Sequence, residues 1–274
     1  QGRVGVTPPG CPPWPIRYHP PQPPRACEFF GGDDVQRPIE ILHESGVLAV
    51  AKPAGLATQA PPGLDSVEAW VRREVASPGG YVGMPHRLDR AVSGVLLVAL
   101  TPRAARKLSR QFERREVRKT YVAVVVRPPA ASAAPLDACG ATRDGRAEWR
   151  DLVEKVPDEP RARIAGDPDA AGVREAVTLA RLVGPAPACP AWALLEIEPL
   201  TGRMHQIRLQ AASRGMPIVG DELYGGPAAD WPGASAADPR SRAIALHAWR
   251  IEWSDPDTGV PRAAEAPLPP WWTT

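Results

Sequence analysis

The stretch "PHRLDRAVSGVLLVAL", residues 85–100, sets a histidine, two arginines and an aspartate against a run that is almost wholly apolar. Asp89 stands between Leu88 and Arg90, with Arg87 one residue further back, five residues before the apolar run that begins at Gly94. Two readings compete. Either this is a charged turn in front of a buried strand, or the scaffold holds an acid in place for chemistry. The rest of the chain decides between them.

Composition narrows the field first. The chain has 274 residues, 43% hydrophobic and 23% charged, which is ordinary for a soluble globular protein with ample core. No apolar run approaches the ~18 residues needed to span a bilayer, so no membrane role is expected. The opening "QGRVGVTPPGCPPWP" has no continuous apolar core and does not read as a signal peptide. It does not begin with methionine, which leaves room for a preceding segment. Cys11, Cys27, Cys139 and Cys189 are widely spread without CxxC spacing, giving neither a zinc site nor a disulfide framework and favouring a reducing, cytoplasmic setting. The net charge of +2 points to no polyanionic partner by itself. Its distribution says more: "RAARKLSRQFERREVRK" (103–119) holds eight basic residues against two acidic ones.

Residues 1–38 are crowded with proline and lack periodicity, so they read as an extended arm ahead of a 39–274 catalytic domain. Two further stretches, 127–149 and 156–175, read as loose, rich in small residues and turn formers respectively. Between them lie strand-like runs at 47–52, 94–100, 120–126, 176–183, 192–200 and 243–253. Three helices interrupt the strands. The first carries Val67, Trp70, Val71 and Val75 at helical spacing, with Asp65 and Glu68 as its capping box. The second is capped by Thr101, starts with Pro102 and turns Ala104, Leu108 and Phe112 inward, leaving Arg103, Arg106, Lys107, Arg110 and Arg114 outside. The third begins near Thr201 and stops at Gly215. Strands in the majority without regular βαβ alternation predict an α+β fold.

Four clusters concentrate polar chemistry: "LAVAKPAGLATQ" (48–59), the opening stretch, "VRKTYVAVV" (117–125) and "PLTGRMHQIRLQAASRGMPIVGDELYGG" (199–226). Singly, each has a plain structural explanation. Lys52 ends a strand, Tyr121 packs within one, and His205 and Arg208 form an i, i+3 pair on a helix face. Asp221 in "GDELYG" reads as a turn former.

Taken in order, the clusters resemble the RluA-type RNA pseudouridine synthases. "HRLDRAVSG" is similar to that family's HRLDxxTSG signature, with Asp89 at the catalytic aspartate. "AKPAGL" resembles its first motif, "KTYVAVV" its tyrosine-bearing strand and "TGRMHQIRLQ…PIVGDELYGG" its third motif, while "IALHAWRIEW" and "EAPLPPW" resemble the closing strand and tail. The likeness spans roughly residues 39–270. One departure is Val92, which stands where the family usually has threonine. The resemblance implies the pseudouridine synthase fold, a mixed and largely antiparallel sheet with flanking helices around a central active-site cleft. It implies Asp89, Arg208 and Tyr121 as catalytic residues. Arg208 would reach Asp89 with a bidentate fork, Tyr121 would stack under an extruded uracil, Arg87 would fill the vacated space or hold a phosphate, and Ile207 would wall the pocket. His86, Lys52, Lys119, Arg203 and His205 complete the expected RNA-binding set.

The reaction this implies conserves all atoms, so it needs no redox partner, metal or nucleotide cofactor, in keeping with a chain lacking a Walker loop, a dinucleotide fingerprint and metal-spaced ligands. The expected partner is RNA, ribosomal before transfer, and nothing demands more than a monomer. Three rivals were weighed. A non-catalytic RNA-binding protein with the same fold would have no use for Asp89, Tyr121 and Arg208 together. A kinase reading of "HRLD" fails because leucine precedes the aspartate and no DFG follows. A glycosidase would want a second acid, and Asp221 is its only candidate within the motifs.

Overall fold

Strand β3 shows why the run after Asp89 is apolar without alternation: all its residues are buried. The computed structural model describes residues 37–127, 146–186, 189–228 and 242–269, so the 1–36 part of the predicted arm lies outside the described residues. In chain order the elements are β1 (Ile39–Glu44), β2 (Val47–Lys52), α1 (Val67–Glu74), β3 (Ser93–Ala99), α2 (Pro102–Glu113), β4 (Arg118–Val126), β5 (Ala147–Lys155), β6 (Ala162–Ile164), β7 (Arg174–Ala186), β8 (Cys189–Pro199), α3 (Gln206–Ser213), β9 (Leu246–Ser254) and β10 (Pro261–Glu265). The strands form one sheet in the order β1-β2-β3-β9-β4-β8-β7-β5-β6, with β10 also paired to β9. Every pairing is antiparallel except β3 with β9. The α+β expectation holds. Among the described residues, no helix is long and apolar enough to cross a membrane.

Successive strand residues face opposite sides of a sheet. In β2 and β3, Val47, Ala49, Val95, Leu97 and Ala99 pack with Ala104 and Leu108 of α2. Their neighbours Leu48, Val50, Leu96 and Val98 pack with Val67 and Val71 of α1. Each fully buried Leu or Val adds about 1.5–3 kcal/mol over its exposed state, so this doubly covered region is a firm base for the Asp89 loop. The other half of the sheet is covered on one side. Leu195 and Ile197 of β8 join Trp149, Ile207 and Met216 in the largest core cluster. The alternate residues Glu196 and Glu198 pair outward with Arg181, Arg118 and Arg146.

Helix α2 starts as expected, with the Thr101 side chain accepting from Ala104 N and Pro102 in the first turn. Two boundaries differ. Ser66, not Asp65, caps α1, and its side chain accepts from Ala69 N. Helix α3 begins at Gln206 because the Gln206 side-chain oxygen accepts from Arg203 N and the Thr201 hydroxyl, which curls residues 201–205 into a turn. Strands β1, β5, β6 and β10 went unread. β5 overlaps the end of one stretch expected to be loose and β6 lies inside the other, correcting that expectation, and "AEWRDLVEK" owes its extension to pairing with β7, as cross-strand packing outweighs intrinsic preference.

One row of neighbours crosses the sheet at the site. Lys52 lies opposite Gly94, Gly94 opposite Ala248, and Ala248 opposite Tyr121. Gly94 has φ +122°, and a Cβ there would stand 2.2 Å from Ala248 O. The close approach of β3 to β9 therefore requires glycine. Gly94→Ala is expected to lower unfolding free energy by about 3 kcal/mol or more, combining steric overlap with a disfavoured φ. Gly259→Ala, at φ +74° with nothing within 4 Å of its added Cβ, should lose only ~1 kcal/mol. Urea unfolding midpoints of the two variants check the contrast.

Candidate active site

The Asp89 loop is held by its backbone from β2 and the turn beyond it. Arg90 O accepts from Gly55 N at 2.8 Å and from the Lys52 ammonium at 3.2 Å. Lys52 Nζ also donates to Leu56 O at 2.8 Å and Pro53 O at 2.9 Å. The Thr58 hydroxyl donates to Leu88 O and accepts from Leu88 N. Lys52 is 1% exposed, and in place of the expected RNA contact its three N–H groups are spent on carbonyls that shape the loop. Burial pushes it down to about 7, against the pull of the Asp89 charge.

His86 is likewise a scaffold residue. Its Nε2 accepts from Leu97 N at 2.9 Å and its ring stacks on Phe112 at 4.6 Å between centroids. Burial, aided by the Lys119 charge, pushes it down to about 3, so it stays neutral. Lys119 is half-buried, and loss of solvent lowers its pKa. Arg87 is exposed, and among the described residues it makes no hydrogen bond or ion pair. Arg203 donates through Nε to Glu175 O at 2.9 Å, which ties the turn before α3 to β7.

From the other side comes α3, an eight-residue helix with Gln206 to Ala211 all buried. Gln206 donates to Val177 O and to the Thr178 hydroxyl, while Gln210 accepts from Thr178 and donates to Asp151. These bonds fix the rotation of α3 on β7, and sequence reasoning missed both glutamines. Ile207 is 7% exposed within the main core cluster, and Arg208 looks toward Asp89.

The guanidinium is where expectation and structure part. Arg208 gives its fork to Asp221, with Nε to Oδ2 and Nη2 to Oδ1 both at 2.7 Å. Asp89 receives only Nη1, at 3.5 Å on Oδ2. Asp221, expected to be a turn former, is 1% exposed and is the second acid of the site. Burial opposes the charge on Arg208, and the Asp221 bridge outweighs it, raising the guanidinium above its ordinary value. His205 Nε2 lies 3.6 Å from the same Asp89 Oδ2. Among the described residues no hydrogen bond reaches Oδ1, and the Asp89 side chain is 24% exposed. Burial, with the Asp89 charge adding, pushes the Tyr121 phenol well above its usual range, so it stays neutral near the acid. Tyr224, also unread in the sequence, lies under Arg208 at 5.2 Å and beside His205.

Asp221→Asn is expected to lose about 3–5 kcal/mol of stability, because the buried Arg208 would lose the charge that compensates it. Asp89→Asn, half as firmly bound and partly solvated, should lose about 1 kcal/mol or less. Equal losses in urea titrations would remove the fork to Asp221 from its central place.

This arrangement has known counterparts. Residues 46–213 match the family described as RNA pseudouridylate synthase. The tRNA pseudouridine synthase C of Salmonella typhi is 35% identical over 239 residues, covering 85% of this chain and 87% of that protein. The dual-specificity RNA pseudouridine synthase RluA of Escherichia coli strain K12 is 30% identical over 250 residues, covering 91% and 96%. The human RNA pseudouridylate synthase domain containing 1 shares the fold with a TM-score of 0.61 at 23% identity, covering 88% of this chain and 86% of that one. With its motifs, sheet and matched length taken together, this chain belongs to the RluA-type RNA pseudouridylate synthase family of isomerases.

Proposed function

We propose that the protein turns a uridine of structured RNA into pseudouridine through Asp89, after drawing the nucleotide out of its stack. The C1′–N1 bond breaks, the uracil turns, C1′ joins C5, and the C5 proton leaves as N1 gains one. The ionised Asp89 either attacks the sugar or takes a proton from it. The observation that carries this reading is the meeting of Asp89 with Arg208 across 119 residues of sequence, with one carboxylate oxygen left open. Extruding the base costs a few kcal/mol, and stacking on Tyr121 offsets about 1–3 kcal/mol of that. Arg87, exposed at the mouth of the site, fills the vacated space or meets a phosphate. The exposed arginines of α2 add backbone attraction without reading sequence. Residues 1–38 serve as an arm on the 39–274 catalytic domain, and the chain works as a cytoplasmic monomer.

Ribosomal RNA is the expected substrate class. Transfer RNA is the second reading, favoured by the 35% identical relative named for it. Pseudouridine mapping in total RNA with and without the protein distinguishes them. Asp89→Asn should abolish product while RNA binding stays near normal, and substantial residual turnover would overturn the assignment. Tyr121→Phe keeps the ring and should bind RNA and fold well, whereas Tyr121→Ala should lose turnover. Equal turnover in the two would remove the platform role.

A further inference from the structure

His205 is placed unusually for a side chain that sequence alone assigns to RNA contact. It caps α3 from the left-handed region at φ +50°, and its side chain makes no capping hydrogen bond. Residues other than glycine adopt this conformation uncommonly, and local contacts offset its cost. Here the contacts lie on both ring nitrogens. Nδ1 is 3.0 Å from the Tyr224 hydroxyl, and Nε2 is 3.6 Å from Asp89 Oδ2. Tyr224 is itself anchored to β6, its hydroxyl accepting from Ala162 N at 3.0 Å and donating to Ala162 O at 3.2 Å.

The neutral imidazole has one proton for two nitrogens. On Nδ1 it would leave the Nε2 lone pair facing an anionic oxygen. On Nε2 it would point at that oxygen, while Nδ1 shares the Tyr224 hydroxyl proton with Ala162 O. The charge of Asp89 favours the second arrangement. We propose that His205 is a positioning residue for the isomerisation: its Nε2–H, favoured by the facing carboxylate, shares Asp89 Oδ2 with Arg208 and turns Oδ1 toward the ribose. The separation of 3.6 Å is longer than a hydrogen bond, and catalytic contacts of this kind close when substrate is bound. Arg208 cannot do this alone, because its fork is committed to Asp221 and it offers Asp89 a single N–H.

The groups facing His205 are Asp89, Arg208, Asp221, Arg87 and Tyr224. Burial lowers its pKa first, the Asp89 charge raises it, and Arg208 lowers it again, leaving the ring neutral near pH 7. The inference rests on the pseudouridine-forming reading, and two experiments separate the failure of one from that of the other. In the first, asparagine and glutamine replace His205. Asparagine tolerates the left-handed backbone and carries an amide near Nδ1, but stops short of Asp89; glutamine reaches the position of Nε2. His205→Asn should reduce the single-turnover rate about tenfold or more at unchanged RNA affinity, and His205→Gln should recover most of it. Equal rates in the two variants, or a loss confined to RNA affinity, would overturn the proposal. The second experiment needs no turnover. The imidazole resonances of His205, assigned by their loss in the Asn variant, are titrated in the wild type and in Asp89→Asn. Loss of the Asp89 charge should move the His205 midpoint to lower pH, and an unmoved midpoint would sink the coupling even where wild-type enzyme makes pseudouridine.

Discussion

The site is organised by the way one guanidinium is divided between two carboxylates. Asp221 takes the planar fork of Arg208 through two bonds of 2.7 Å, and this fixes the plane in which the remaining Nη1 must point. Asp89 lies along that direction and is met at one oxygen only. Had Arg208 closed its fork on Asp89, both oxygens of that acid would be occupied. The buried carboxylate of Asp221 thus holds the cation and leaves the second oxygen of Asp89 open. The turn carrying Asp221 is tight enough that a Cβ on Gly226 would stand 1.9 Å from Ile218 O, so the acid sits in a loop folded closely back on itself.

That division works only if both carboxylates come from rigid supports. The Asp89 loop leans on the half of the sheet buried on both faces, and the Lys52 ammonium draws together carbonyls from two segments to give the loop its shape. Arg208 leans on the other half, through glutamines that bind α3 to β7. The row Lys52, Gly94, Ala248, Tyr121 joins the halves, and neighbouring strands are ~4.8 Å apart, so the spacing between loop and tyrosine is set by sheet geometry. Preorganisation of this kind lowers the reorganisation needed when charge moves during reaction.

Much of this was legible in the residues. Periodicity located the helices and the main strands, and motif wording singled out Asp89, Arg208 and His205, which the fold brings together. What escaped was who binds whom. Lys52 and His86 carry charge or a titratable ring in a conspicuous motif, which invites a substrate role. Only three-dimensional placement reveals that Lys52 satisfies a carbonyl of the loop and His86 an amide of β3. Asp221 was misjudged for the opposite reason, since an acid in "GDELYGG" has the local chemistry of a turn and its partner is 13 residues away on a helix. Short strands such as β6 and β10 were unreadable because alanine and arginine carry no strand preference of their own there, and pairing with longer neighbours extends them.

Val92 tests how far the motif's wording matters. The chain has valine where threonine is usual in the resembling family, next to the reacting loop. Val92 is 3% exposed and belongs to the cluster that also holds Ile207, Ile218 and Ile244. A hydroxyl there would need a partner, whereas a methyl of similar size needs only contact. The adjacent Ser93 keeps its polar tie, with its hydroxyl 2.8 Å from His247 Nδ1, and His247 Nε2 in turn faces Ala266 O. Burial pushes His247 down to about 4, so this link stays neutral through physiological pH. The strand start is therefore fastened by Ser93 and by the close approach at Gly94, and the position between them and Asp89 is free to be apolar.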